Sequence, residues 1–254
     1  MKSLFLNSFL ITALPICSIA DPVDTTIKGV LISFSYSPSI FPDTWVAAPV
    51  NAVGETIAKS EIGRSKSVML ATMNKYPASL LKDNLRAVYF LKSMEFFKVG
   101  YGGTNSNDAL YITNDGALNN YTDIYLEQTF HHEFSSILYR NYPKLLDTTA
   151  WKKANIPNFD YNDPEAGVGA IRNNESSQVL DTLLCAKGFI TQYAYSGLEN
   201  DLNTVAQNLF KPDEGFWEIV DKYPRIRQKV KLLIAFYNKL NPVFTEAYFR
   251  KFGE

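Results

Sequence analysis

His131, His132 and Glu133, followed by Phe134, Ser135 and Ser136, are the residues of this chain best suited by type and spacing to do chemistry. Two imidazoles four positions apart, with a glutamate beside the first, can bind a zinc ion on one helix face. The carboxylate then takes a proton from a zinc-bound water. Pitch is the reason: at about 100° per residue, positions i and i+4 nearly eclipse, so both rings reach one ion. Here the residue four after His132 is Ser136, the residue four after His131 is Ser135, and the chain has only two histidines. A serine hydroxyl is a poor zinc ligand beside imidazole or carboxylate. Neighbouring histidines diverge by about 100°, so His131 could join His132 as an alternate ligand only on a distorted helix.

Phe130 and Phe134 mark the buried stripe of that helix. From Phe130, His132 lies roughly 200° around the axis, Ser136 roughly 240° and Glu133 roughly 300°. His132 and Ser136 are therefore expected on the face away from the core, with Glu133 at its margin, in a cleft-lining position. A third, carboxylate ligand would come from a later helix. Glu199 and Asp201, in Ser196-Gly-Leu-Glu-Asn-Asp201, have suitable form, Asp201 as the alternate. Asn200 or Asp201 would equally well cap that helix, since acids at a helix start satisfy free amides and complement the dipole.

The elements that must position these residues follow from periodicity. Residues 22–54, broken by Pro38, Pro42 and Pro49, are expected to be an irregular entry segment with one β-like run at Val30–Tyr36. Glu55–Lys82 has helical spacing punctuated by Pro77. Arg86–Lys92 and Asn107–Thr113 read as two paired strands, with a turn or bulge at Gly100–Thr104. Thr122–Tyr139 is the helix that carries the motif. After a Pro- and Trp-containing loop (142–164), helices are expected around 177–195, 201–210, 215–222 and 224–237. The order predicts an α+β fold with a small mixed sheet, an active-site helix and a helical C-terminal half. One domain over 21–254 is expected: an irregular start to about 55, a β-containing lobe to about 120 and a helical lobe from 121.

Lys2, the apolar run Leu4–Ile16 and the small residues Ser18 and Ala20 have the form of an export signal over residues 1–20, giving a periplasmic or secreted protein. Cys17 as a lipid-bearing residue is the weaker alternative, because Ile16 is bulky where a small residue is needed. Loss of Lys2 from the 25 basic residues leaves 24 against 26 acidic ones, and Cys185 becomes the remaining cysteine. A disulfide within the chain and a cysteine-based zinc site are then both excluded. No block of like charge points to nucleic acid as partner, and no later run is long enough for a transmembrane segment.

The segment Phe130–Leu138, with Tyr142-Pro143, Trp151, Ala154-Asn155 and Phe159–Tyr161 after it, resembles the bacterial family of zinc-binding metallopeptidase-like proteins. These are exported and have a gluzincin-like (zincin) domain. Asn74–Pro77 before Leu80-Leu81, Val88–Phe90, Gly102–Thr104 before Tyr111-Ile112, Gly188–Ile190, Tyr193-Ala194 and Glu199–Leu202 are similar too. The resemblance spans residues 60–250. It implies His132 as first zinc ligand, Glu133 as general base and Glu199 as third ligand, with Ser136 where the family has histidine. It also implies substrate pairing along an edge strand, here Ala109–Thr113. Two functions follow: a zinc-dependent peptidase with an altered site, or a non-catalytic pseudopeptidase whose cleft binds peptide or glycan. An unrelated exported binding protein, the third reading, would hold His132 and Glu199 far apart.

Overall fold

The computed structural model describes residues 24–161 and 167–253; the proposed signal at 1–20 and Cys17 lie outside the described residues. Seven strands form one mixed sheet: β1 (Thr25–Ile27), β2 (Val30–Ser33), β3 (Val53–Thr56), β4 (Ala87–Phe96), β5 (Val99–Gly100), β6 (Gly103–Asn105) and β7 (Ala109–Thr113). Its order is β1-β2-β4-β7-β6, with β3 and β5 pairing farther along β4. β4 lies parallel to β2 and β7, whereas β6 runs antiparallel to β7 and ends the sheet. Ala109–Thr113, expected as the edge, is thus an inner strand, buried at every position. Its uninterrupted apolar run is the mark of a strand covered on both faces.

Those two faces have different covers. Val88, Phe90, Leu110 and Ile112 point into the larger core with the helices, while Ala87, Tyr89, Leu91, Ala109 and Tyr111 meet Phe41 and Trp45. The entry segment expected to be irregular therefore contributes strands to the sheet and covers its second face. The Tyr111 hydroxyl donates to the Ile40 carbonyl at 2.7 Å, fastening that cover down.

The helices that matter for the site are α1 (Lys59–Met73), α2 (Ala78–Asn84), α3 (Asp123–Asn141), α4 (Thr148–Lys153), α5 (Gly167–Arg172), α6 (Leu198–Phe210), α7 (Phe216–Lys222), α8 (Pro224–Leu240) and α9 (Glu246–Arg250). Pro77 separates α1 from α2 as the spacing predicts. Thr122 caps α3 by accepting the Tyr125 amide at 3.2 Å. The helix expected over 177–195 is absent; only single turns form, at Thr182–Cys185 and Tyr193–Ser196. Gly188, at φ +104°, stops the chain between them, and a side chain there would strike the Ala154 carbonyl at 2.8 Å. Among the described residues no helix is long and apolar enough to cross a membrane.

Candidate functional site

α3 carries the motif through the middle of the molecule and is buried at every position from Phe130 to Leu138. His132 and Ser136 are nearly inaccessible, yet they lie off the Phe130 and Phe134 stripe and line a cleft, the position expected of them. They face α6, and the two helices meet along three polar rungs. His132 Nδ1 donates to Gln207 Oε1 at 2.8 Å. Asn203 Nδ2 donates to Ser136 Oγ at 2.6 Å. Arg140 Nη1 meets Glu199 Oε1 at 2.6 Å. Each step of four toward the C-terminus of α3 is a step of four toward the N-terminus of α6, so the helices are antiparallel with matched one-turn spacing.

A cleft of about 690 Å³ opens over this seam, and His132, Glu133, Ser136, Glu199, Asn203 and Gln207 all line it. Its other wall is β6. There Asn105 Nδ2 donates to Glu133 Oε2, and Arg140 reaches Asn105 Oδ1 and, at 3.0 Å, the Ser106 carbonyl. The strand lies so close to α3 that a Cβ on Gly103 would sit 2.5 Å from Thr129 Cγ2 and 2.8 Å from Glu133 Oε1. Gly103→Ala is therefore expected to displace Glu133. Loss of the nuclear Overhauser contacts between residue 103 and Thr129 would register it, and unchanged contacts would refute the close approach.

Burial governs the site's protonation. It pushes the Glu133 carboxyl up to about 7; the Asn105 hydrogen bond pulls the other way, and the nearby Glu199 charge adds to the rise. It pushes the His132 imidazole down to about 4 against the bond to Gln207, so the ring is neutral at pH 7. With Nδ1–H given to Gln207, the lone pair belongs to Nε2.

The two alternates lie elsewhere. His131 is fully buried on the core side of α3, stacked on Phe210 at 4.7 Å and bonded through Nδ1 to the Tyr76 hydroxyl at 2.8 Å. Burial holds it near 4. Asp201 points behind α6. Its Oδ2 accepts from Trp151 Nε1 at 2.8 Å, the Tyr161 hydroxyl at 2.5 Å and Lys229 Nζ at 2.6 Å. The capping reading is overturned as well. α6 starts at Leu198 with no side-chain cap, because Asp201 is spent on the core and Asn200 Nδ2 donates to Ser196 Oγ.

The donor set does not fit a zinc ion. Among the described residues no group of three His, Cys, Asp or Glu side chains is placed to hold a metal. His132 is the single imidazole in the cleft, Ser136 is engaged by an amide, and the Glu199 carboxylate is neutralised by Arg140. Asn203 and Gln207 carry no zinc-site signal in the sequence, because zinc takes imidazole, thiolate and carboxylate rather than amides. Their trace was nonetheless there: Glu199, Asn203 and Gln207 recur every four residues, a polar stripe along a helix that is buried from Asp201 to Phe210.

No family model and no curated protein matches the chain. The crystal structure of a "putative zinc-binding metallo-peptidase" from Bacteroides caccae is similar to it at 18% sequence identity and a TM-score of 0.47, over 74% of this chain and 75% of that one.

Proposed function

We propose that this chain is an exported, zincin-like protein that does not catalyse, and whose cleft binds an extended peptide without a metal. The observation that carries this reading is the seam itself. The side chains that His132 and Ser136 meet on the facing helix are the amides of Gln207 and Asn203, each already hydrogen-bonded to one of them, a set suited to holding neutral polar groups and not a dication.

A peptide, in preference to a glycan, is favoured by the geometry of β6. Thr113 N donates to the Gly102 carbonyl and Ser106 N to the Ala109 carbonyl, so residues 102, 104 and 106 turn their backbone groups inward to β7. Alternation then turns the amides and carbonyls of Gly103 and Asn105 outward, where the sheet ends and the cleft begins. An extended chain can add there by main-chain pairing, directly above Glu133.

The expected results are sub-stoichiometric zinc in protein purified without chelator, and zinc binding no tighter than about micromolar by calorimetry. Adding an unfolded casein digest should shift the Gly103 and Asn105 amide resonances, and Glu133→Gln should still bind. One zinc per chain held at nanomolar affinity, or peptide hydrolysis abolished by Glu133→Gln, would overturn the non-catalytic reading. Unmoved resonances at 103 and 105 under saturating digest would overturn the peptide reading.

A further inference from the structure

The sequence shows one missing ligand, Ser136. From the register of the two helices we infer that a second ligand position has been given up, at Asn203, so that the cleft is a metal centre dismantled at two places on facing helices. This rests on reading the cleft as a former metal centre.

The rungs decide which α6 residue faces the motif. Gln207 holds His132 and Asn203 touches Ser136; Glu199 lies one turn farther on, opposite Arg140. Two donors on one tetrahedral zinc stand about 3.3 Å apart, each about 2 Å from the ion. Side chains at 136 and 203 already approach to 2.6 Å, so longer ones there could share an ion with His132. The carboxylate that the resemblance implies at Glu199 belongs, by register, at 203. Asn203 also carries an orphan: its Oδ1 is buried with no hydrogen-bond partner among the described residues. Ser136 satisfies only one end of an amide whose other end would, in a carboxylate, be a metal donor.

What remains is the third part of such a centre. Gln207 accepts Nδ1–H of His132 and leaves Nε2 as the donor atom, the service that outer carboxylates and carbonyls render to metal-binding histidines. One ligand and its orienting partner are in place; two ligands are gone. Restoring Ser136 alone would give two imidazoles without an anion.

The test is metal binding by Ser136→His, Asn203→Glu and the double variant. The readouts are zinc calorimetry and the visible absorption of cobalt(II), whose intensity reports tetrahedral coordination. The double variant should take up one ion per chain, about 100-fold or more tighter than either single variant. Adding Gln207→Ala to it should weaken the metal about 10- to 100-fold, as loss of an orienting partner does. Should Ser136→His/Asn203→Glu not fold, Ser136→His/Asn203→Asp, which keeps the size of Asn203, takes its place.

If Ser136→His alone binds as tightly as the double variant, position 203 is no ligand site and the inference falls, while the former-centre reading stands. A folded double variant that binds no tighter than the wild type, or failure of both double variants to fold, also overturns it. One tightly held zinc in the wild type would instead overturn the reading of the preceding subsection.

Discussion

Lys229→Ala should cost about 3–5 kcal/mol of folding stability, because it leaves the Asp201 carboxylate buried without its counter-charge. Lys229 and Asp201 are both fully inaccessible. Lys229 Nζ donates to Asp201 Oδ2 at 2.6 Å and to the Gly188 carbonyl at 2.5 Å, and it sits over the Phe189 ring at 4.2 Å. Burial pulls the lysine pKa down and pushes the aspartate up, each opposed by the partner's charge, so neither ion is tolerated there alone. The pair spans α6, α8 and the turn at Gly188, with Trp151 of α4 as a further donor. Chemical denaturation of Lys229→Ala, Asp201→Ala and Lys229→Met/Asp201→Leu measures the effect. The double variant should recover most of the loss, since apolar replacement of a whole buried pair is often close to neutral. A loss below about 1 kcal/mol in Lys229→Ala would show the pair to be solvated in solution.

Phe210→Ala should be comparably damaging, about 3–5 kcal/mol, the usual cost of emptying a buried aromatic site. Phe210, the last residue of α6, is wholly buried. Its ring stacks on Tyr76 at 4.4 Å and on His131 at 4.7 Å, and meets Phe249 of α9 edge-on at 5.0 Å. Few of these neighbours can close the gap, because Tyr76 and His131 are tied to each other by a hydrogen bond. The same residue anchors the C-terminal end of the helix that presents Asn203 and Gln207, so the loss should reach the site. Amide hydrogen exchange along α6 should accelerate together with the fall in the unfolding midpoint. Destabilisation without faster exchange at Asn203 and Gln207 would separate the core from the cleft.

Much of the frame was legible from local pattern. α3 begins at its Thr122 cap, and α1 and α2 divide at Pro77, because caps and prolines act within one turn. The pairing of β4 and β7 followed from two buried β-branched and aromatic runs; that they run parallel came only from the structure. The segment 177–195 failed for a local reason with a distant partner. Its apolar residues Phe189 and Ile190 pack in the core, but Gly188 breaks the helix and its carbonyl serves Lys229. The edge was misjudged because β6 is a three-residue strand containing Gly103, too short and too weakly patterned to register as a strand.

The site divides along the same line. That a histidine and a glutamate stand side by side on a helix, with serine four residues on, is written in consecutive residues and needs no fold. Which histidine meets the cleft was already fixed by the Phe130 and Phe134 stripe. What those residues face was not. The partners of His132 and Ser136 lie 75 and 67 residues away, and their register depends on how α3 and α6 pack. A one-turn slip between those helices would bring Glu199 to Ser136 and Asn203 to His132, leaving the sequence unchanged and the chemistry different. Packing therefore decided that Glu199 pairs with Arg140, that Asp201 turns into the core against Lys229, and that an amide stands opposite Ser136. The sequence by itself determined that serine stands four residues after His132; tertiary structure decided that an amide meets that serine from the facing helix, because side chains far apart in the chain meet only through the register of the helices that carry them.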